Sequence, residues 1–134
     1  MDSDIMEMLV EALIHEKHPR PAPRQCARDL AVRQCLRLIE AHEQKPLSVM
    51  DLCRAAGVGR RMLEYAFQDR FGLSPKAYLL ARRLNGVRAE LKQPSGEPSV
   101  THAANSWGFH HLSQFSAFYR RQFGELPSET IRGR

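Results

Sequence analysis

Two stretches of this chain set long polar side chains at helical spacing just after a glycine. In the first, Arg61, Glu64, Tyr65 and Gln68 fall at i, i+3, i+4 and i+7, with Arg60 at the start of the run. In the second, His110 or His111, Ser113, Gln114, Ala117 and Arg121 form one stripe, with Arg120 at its edge. Residues so spaced share one face of a helix. Their chemistry is that of reading base edges. A guanidinium pairs bidentately with guanine, a glutamine amide pairs with adenine, and a carboxylate accepts from the cytosine amino group. Arg60 suits a phosphate, and the small Ser113 and Ala117 would let a backbone sit close to a groove floor. Taken singly, each stripe is also what an ordinary solvated helix face shows.

Other chemistries fit less well. No nucleophile–base arrangement and no glycine loop able to cradle a phosphate is present, so an enzyme is not expected. Six histidines invite a metal. His15 with His18, and His110 with His111, come nearest, but neither pair has companion cysteines or acids at a recognised spacing. Neither a metal nor a cofactor is expected. Asp51 and Glu90 read as lone acids on helix surfaces.

The glycines before the two stripes belong to a repeat. Ser48, Val49, Leu52, Cys53, Gly57 and Val58 recur as Ser99, Val100, Ala103, Ala104, Gly108 and Phe109 at an offset of 51 residues. After one inserted residue, Leu63, Phe67, Phe71, Gly72 and Pro75 recur as Phe115, Tyr119, Phe123, Gly124 and Pro127 at an offset of 52. Such a repeat marks a duplicated unit, and its grammar is helix, glycine corner, helix. Cys53 and Ala104 are small where two helices must nearly touch. Met62, Leu63, Ala66, Phe67 and Phe71 form the buried side of one unit; Trp107, Phe109, Phe115, Phe118 and Tyr119 build the core of the other.

Charge points the same way. The net charge is +5, but residues 1–16 carry five acids and no Lys or Arg. The other 118 residues hold 20 basic and 10 acidic groups, a net of +10. A helical domain this basic typically meets a polyanion, because release of condensed counterions drives binding. A basic surface kept for solubility is the plain alternative. Cys26, Cys35 and Cys53 lack any Cys-x-x-Cys spacing and read as reduced thiols in a cytoplasmic protein. No run is apolar and long enough to span a bilayer.

The elements that must position the stripes follow from periodicity and stop signals. Residues 3–16 read as a short amphipathic helix, and His18 to Pro23 as a stiff Pro-rich break. A helix from about Arg24 or Cys26 to His42 precedes Ser48, which caps the next. Helices are expected over about 60–71, 75–92, 99–108, 112–123 and 127–131, with Pro75 and Pro127 at favoured first positions. No stretch shows the two-residue alternation of a strand, so the fold should be all-α.

Gly108-Phe109, Phe115, Tyr119-Arg120, Phe123-Gly124 and Pro127 make one spaced pattern, and Ser74-Pro75, Tyr78-Leu79 and Arg83-Leu84 another. On these, residues 26–132 resemble the DNA-binding domain of the AraC/XylS family of bacterial transcription regulators. The resemblance implies a seven-helix bundle: two helix-turn-helix subdomains, about 48–71 and 99–123, joined by the long connecting helix 75–92. It also implies base-reading positions at Arg61, Glu64 and Tyr65, and at Leu112, Ser113, Gln114 and Ala117. Leu112 departs, being limited to a thymine methyl or to packing inward. Within the family, Leu84-Asn85, Val87-Arg88 and Glu90-Leu91, with the run from Trp107 to Phe115, resemble regulators of amine and aromatic-compound catabolism, the ethanolamine-utilisation regulator among them.

The expected organisation is therefore an interdomain stub and linker over 1–24 and a DNA-binding domain over 25–134, as in a piece of a longer regulator. The expected partners are double-stranded DNA and RNA polymerase, at the bacterial nucleoid in the cytoplasm. An effector ligand is expected only on a separate N-terminal domain. The rival reading is a helical protein-interaction module, touching RNA polymerase without reading DNA.

Overall fold

The computed structural model describes residues 23–94 and 96–134. The expected helix over 3–16, most of the Pro-rich break, and His15 and His18 lie outside them. Among the described residues the chain forms seven helices and no strand: α1 (Pro23–Ala41), α2 (Val49–Ala56), α3 (Arg60–Phe71), α4 (Pro75–Leu91), α5 (Val100–Ser106), α6 (Leu112–Phe123) and α7 (Pro127–Arg132). The all-α, double helix-turn-helix architecture matches the expectation. Several boundaries shift by a few residues, and one shift has a plain cause. Pro23 is not part of the break but opens α1, a position where its missing N–H removes no helical hydrogen bond.

The duplication is visible in how each unit starts and stops. Ser48 and Ser99 sit at the N-caps of α2 and α5, and their hydroxyls accept from the backbone N–H of Asp51 and His102 at 3.2 and 3.1 Å. In the first unit Asp51 also accepts from the Ser48 N–H at 2.8 Å. Asp51 is therefore half of a capping box, not a lone surface acid, and those hydrogen bonds hold its carboxyl below the usual range. Each short helix then turns a corner at a glycine with positive φ, 66° at Gly57 and 90° at Gly108, where a side chain would be strained. The Val58 and Phe109 amides close the two corners onto the carbonyls of Cys53 and Ala104. The inserted residue falls inside the second corner. Beyond it, α3 and α6 are both 12 residues long and both stop at a left-handed glycine, Gly72 or Gly124.

Two cores result. The first joins Val32, Cys35, Leu36 and Ile39 of α1 to Leu47, Leu52, Cys53, Leu63, Ala66, Phe67 and Leu79. The second joins Leu84, Val87 and Leu91 of α4 to Ala103, Ala104, Phe109, Phe115 and Tyr119. Each fully buried large apolar side chain contributes about 1.5–3 kcal/mol relative to exposure. Trp107, Phe118, Met62 and Phe71 are only half-buried. Burial pushes the Cys35 thiol up to about 12, helped by neighbouring Cys53, so it stays protonated and unreactive.

The units anchor their following helix differently. After α3, Tyr78 stacks on Phe71 with ring centroids 4.6 Å apart. The position 52 residues on is Thr130, whose hydroxyl meets Tyr119 Oη at 2.6 Å and donates to Glu125 Oε1 at 2.6 Å. Burial raises the Tyr119 pKa, favouring the phenol that donates here.

α4 serves both cores. Leu79 packs into the first, while its neighbour Leu80 packs against the second. Gly86 lies in the interior of this helix, where a glycine ordinarily weakens it, but its role here is different. A Cβ at position 86 would lie 2.5 Å from the Trp107 indole, so the glycine is a notch in which Trp107 rests against the helix. Helix propensity alone would make Gly86→Ala stabilising by about 1 kcal/mol. The packing argument reverses the sign: Gly86→Ala is expected to destabilise the fold by roughly 1–3 kcal/mol, as overpacked sites do. Urea unfolding of the two proteins measures the difference; a rise in the midpoint would show that the indole can move aside at little cost.

Candidate nucleic-acid interface

α3 and α6 turn their apolar stripes inward and leave the opposite stripes in solvent. Leu63, Ala66 and Phe67 are buried on α3, and Phe115 and Tyr119 on α6. Arg60, Arg61, Glu64, Tyr65 and Gln68 on α3 are all exposed, and so are Leu112, Ser113, Gln114, Ala117, Arg120 and Arg121 on α6. The predicted stripes are thus the free faces of the two equivalent helices.

His110 and His111 are exposed but do not open α6. His111 is its N-cap, with extended backbone (φ −118°, ψ 99°) and no side-chain capping bond, and His110 precedes it in the corner. The inserted residue lengthens this corner and puts the histidines there. Among the described residues no three His, Cys, Asp or Glu side chains gather as a metal site. Leu112, first in α6, is 41% exposed, so it stands on the outer surface instead of packing inward.

The start of α3 is electrostatically costly to the helix itself. Its first turn holds Arg60 and Arg61 and no acid, and its N-cap Gly59 supplies no side-chain bond. Cations at this end oppose the helix dipole by roughly 0.3–1 kcal/mol each. A bound anion would reverse that penalty. Among the described residues Arg60 meets a partial answer, an ion pair with Glu64 one turn on, Nε to Oε1 at 3.4 Å. Both groups are more than half exposed, and such a pair is worth little and exchanges readily. Arg120 and Arg121 sit in the last turn of α6, where cations complement the dipole, so helix-end chemistry accounts for their presence as well as a polyanion would.

One residue of this surface escaped the sequence. Arg28 of α1 reaches Asp69 on α3 with Nη1 to Oδ2 at 2.5 Å, and its guanidinium lies 5.7 Å from the centre of the Tyr65 ring. Tyr65 is half-exposed, yet this cation–π contact from another helix restrains it. The partners are 41 positions apart, and no local spacing signals such a contact.

Comparison with known proteins places this geometry. A model described as a helix-turn-helix domain matches residues 52–133. The chain is 35% identical over 130 residues to the "Probable thc operon regulatory protein" of Rhodococcus erythropolis, covering 96% of this chain and 39% of that protein. It is 33% identical over 131 residues to the XylDLEGF operon transcriptional activator of Pseudomonas putida, covering 97% of this chain and 39% of the relative. The chain thus spans about two fifths of the length of the curated relatives it matches. Among solved structures, a "probable AraC family transcriptional regulator" from Rhodopseudomonas palustris superposes with a TM-score of 0.70 at 38% identity, over 77% of this chain and 95% of that one. The DNA-binding domain of AdpA, solved with a target DNA, superposes at 0.69 and 21% identity over 77% of this chain and 91% of its own, a likeness of fold.

The exposed stripes generate two expectations. Gln114→Ala should cost roughly 1–3 kcal/mol in duplex binding and relax preference at one base pair. A loss uniform across all sequences would make Gln114 a backbone contact. Arg61→Ala should alter sequence preference, most strongly at a guanine. Arg60→Ala should weaken all duplexes alike and flatten the salt slope by about one. Selection from random duplexes by each variant, with titrations at several salt concentrations, checks the split; matching preferences in the two arginine variants would contradict it.

Proposed function

The chain belongs to the AraC family of helix-turn-helix transcription regulators, and from that premise we propose that residues 25–134 bind specific double-stranded DNA with α3 and α6 in successive major grooves. The observation that carries this reading is the duplicated exposed stripe. Two helices of equal length, each behind a glycine corner, keep the same face in solvent and equip it with hydrogen-bonding side chains. In this reading Arg61, Glu64, Tyr65 and Gln68 read one sub-site, and Leu112, Ser113, Gln114 and Ala117 read the other. Arg60, His110, His111, Arg120 and Arg121 flank these stripes as phosphate or groove-edge contacts. The net of +10 outside residues 1–16 supplies the sequence-independent attraction.

Regulation follows as part of the same proposal. The relative is a transcriptional activator of an operon; the bound chain would act on transcription by touching RNA polymerase with a surface that DNA leaves uncovered. An effector, where such a regulator uses one, would bind outside residues 25–134. No helix among the described residues is long and apolar enough to cross a membrane, and the proposed site of action is the bacterial nucleoid.

The units are related by repetition along one chain, so the sub-sites should lie head-to-tail on one face of the duplex without dyad symmetry. Adjacent grooves on one face recur about every 34 Å, or about 10 bp. Inserting roughly 5 bp, half a turn, between the sub-sites should reduce affinity to that of one unit. The rival reading, a protein-interaction module, predicts no spacing dependence, no sequence-specific duplex binding, and a partner contact that weakens little with salt. Titration of native and inserted sites across a salt series separates the two; undiminished affinity after insertion would show that only one unit reads DNA or that the units move independently.

A further inference from the structure

Two residues make contacts that cross the boundary between the units. Pro46 and Leu47 form the loop that leads into α2. Leu47 is buried in the first core, and its carbonyl accepts from Arg83 Nη2 of α4 at 2.6 Å. Pro46 lies against the corner of the second unit: a Cβ built on Gly108 would stand 3.3 Å from the Pro46 Cβ. The residue before Gly108 is Trp107, which rests in the Gly86 notch of α4, one turn along from Arg83. The contacts therefore close a ring: Arg83 to Leu47, Pro46 to Gly108, Trp107 to Gly86, and back along α4. The entry of α2 and the corner that leads into α6 are held to the same stretch of one helix.

We propose that Arg83 is a positioning residue for DNA recognition: by pinning the Pro46–Leu47 loop to α4, it fixes the spacing and rotational phase of α3 relative to α6. This rests on the reading of both helices as DNA-reading elements. α4 alone sets only an axial distance, about 25 Å for 17 residues at 1.5 Å each. A helix joined to two cores by separate stripes still leaves each core free to rock about its own contact. A short charge-assisted hydrogen bond from a half-buried guanidinium removes that freedom on the first unit's side, because breaking it strands a charge that burial already penalises. The Pro46–Gly108 contact then passes the constraint to the second unit.

The consequence is measurable as discrimination between spacings. A rigid link between two binding modules gives its full avidity only where the sub-sites match its geometry, whereas a loose one spreads that avidity over several spacings. The test compares the 134-residue chain with Arg83→Met, which keeps length and loses the donors, and with Arg83→Lys, which can still donate to the Leu47 carbonyl. Each is titrated with the native composite site, with the same site lengthened by about one and about five base pairs, and with each sub-site alone. For Arg83→Met the ratio of affinities for native and lengthened sites should fall at least about fivefold, with isolated sub-sites bound as by the parent and with Arg83→Lys restoring most of the ratio. Pro46→Gly, at an exposed position where folding should survive, should shift the ratio the same way and decides the matter if Arg83→Met does not fold. A parent chain that depends on spacing, beside variants that lose thermal stability but keep the ratio, would overturn the proposal and leave Arg83 a merely structural residue. A parent chain indifferent to spacing would overturn this proposal; if it also bound one sub-site alone as tightly as the composite site, the two-helix reading would fall with it.

Discussion

A small helical unit of two or three helices has little interior, and each half of this chain meets the difficulty by borrowing the same helix. α4 gives Leu79 to the first core and Leu84, Val87 and Leu91 to the second. Without it the first unit would lose the ring of Tyr78 that stacks on Phe71. The second would lose the stripe against which Phe109, Phe115 and Tyr119 close. Stability and geometry are therefore one constraint here, because the helix that completes both cores is also the one that relates the two outward faces.

That sharing explains where polar groups are tolerated inside. Arg88 of α4 lies over the Phe123 ring, 4.6 Å from its centre, and approaches Glu125 at 3.9 Å. Glu125 in turn accepts from Thr130, and Thr130 meets Tyr119. The chain of contacts ties α4, α6 and α7 together at the end of the second unit, and it leaves Arg88 Nε buried without a partner. A network left partly unsatisfied in this way is less stable than apolar packing of the same volume. The first unit reaches the same end with stacked rings, so the duplicated halves share a backbone plan while differing in chemistry.

Much of this was legible from residue order because its causes are local. The apolar stripe of α3, the serine caps, the glycine stops and the proline starts are each decided within a few positions, and the repeat supplied an independent check on each. The outward faces were legible for the same reason: once Leu63, Ala66 and Phe67 must be buried, Arg61, Glu64, Tyr65 and Gln68 have nowhere else to go. What escaped was set by contacts between distant positions. Gly86 reads as a weak point in a helix until Trp107 is seen lying in it. Tyr65 reads as an unrestrained ring until Arg28 arrives from α1. Asp51 is a local miss: its partner is the Ser48 backbone three positions back, the spacing of a capping box. His110 and His111 were grouped with the α6 stripe, yet they fall in the corner and at the N-cap, just before the helix along which that stripe runs.

The ion pair between Arg60 and Glu64 bears on how such a protein would search a genome. In the free chain the carboxylate is neutralised by its neighbour and costs little. With α3 in a groove and Arg60 drawn to a phosphate, Glu64 would be left facing base edges alone. A cytosine amino group satisfies it, whereas sequences that present only acceptors leave a desolvated negative charge beside other negative groups. On the proposed reading the penalty would fall on wrong sites instead of the reward on right ones. Dwell times on non-matching DNA would be shortened, and a domain whose overall charge makes it adhere to any duplex would keep moving until both faces find their match.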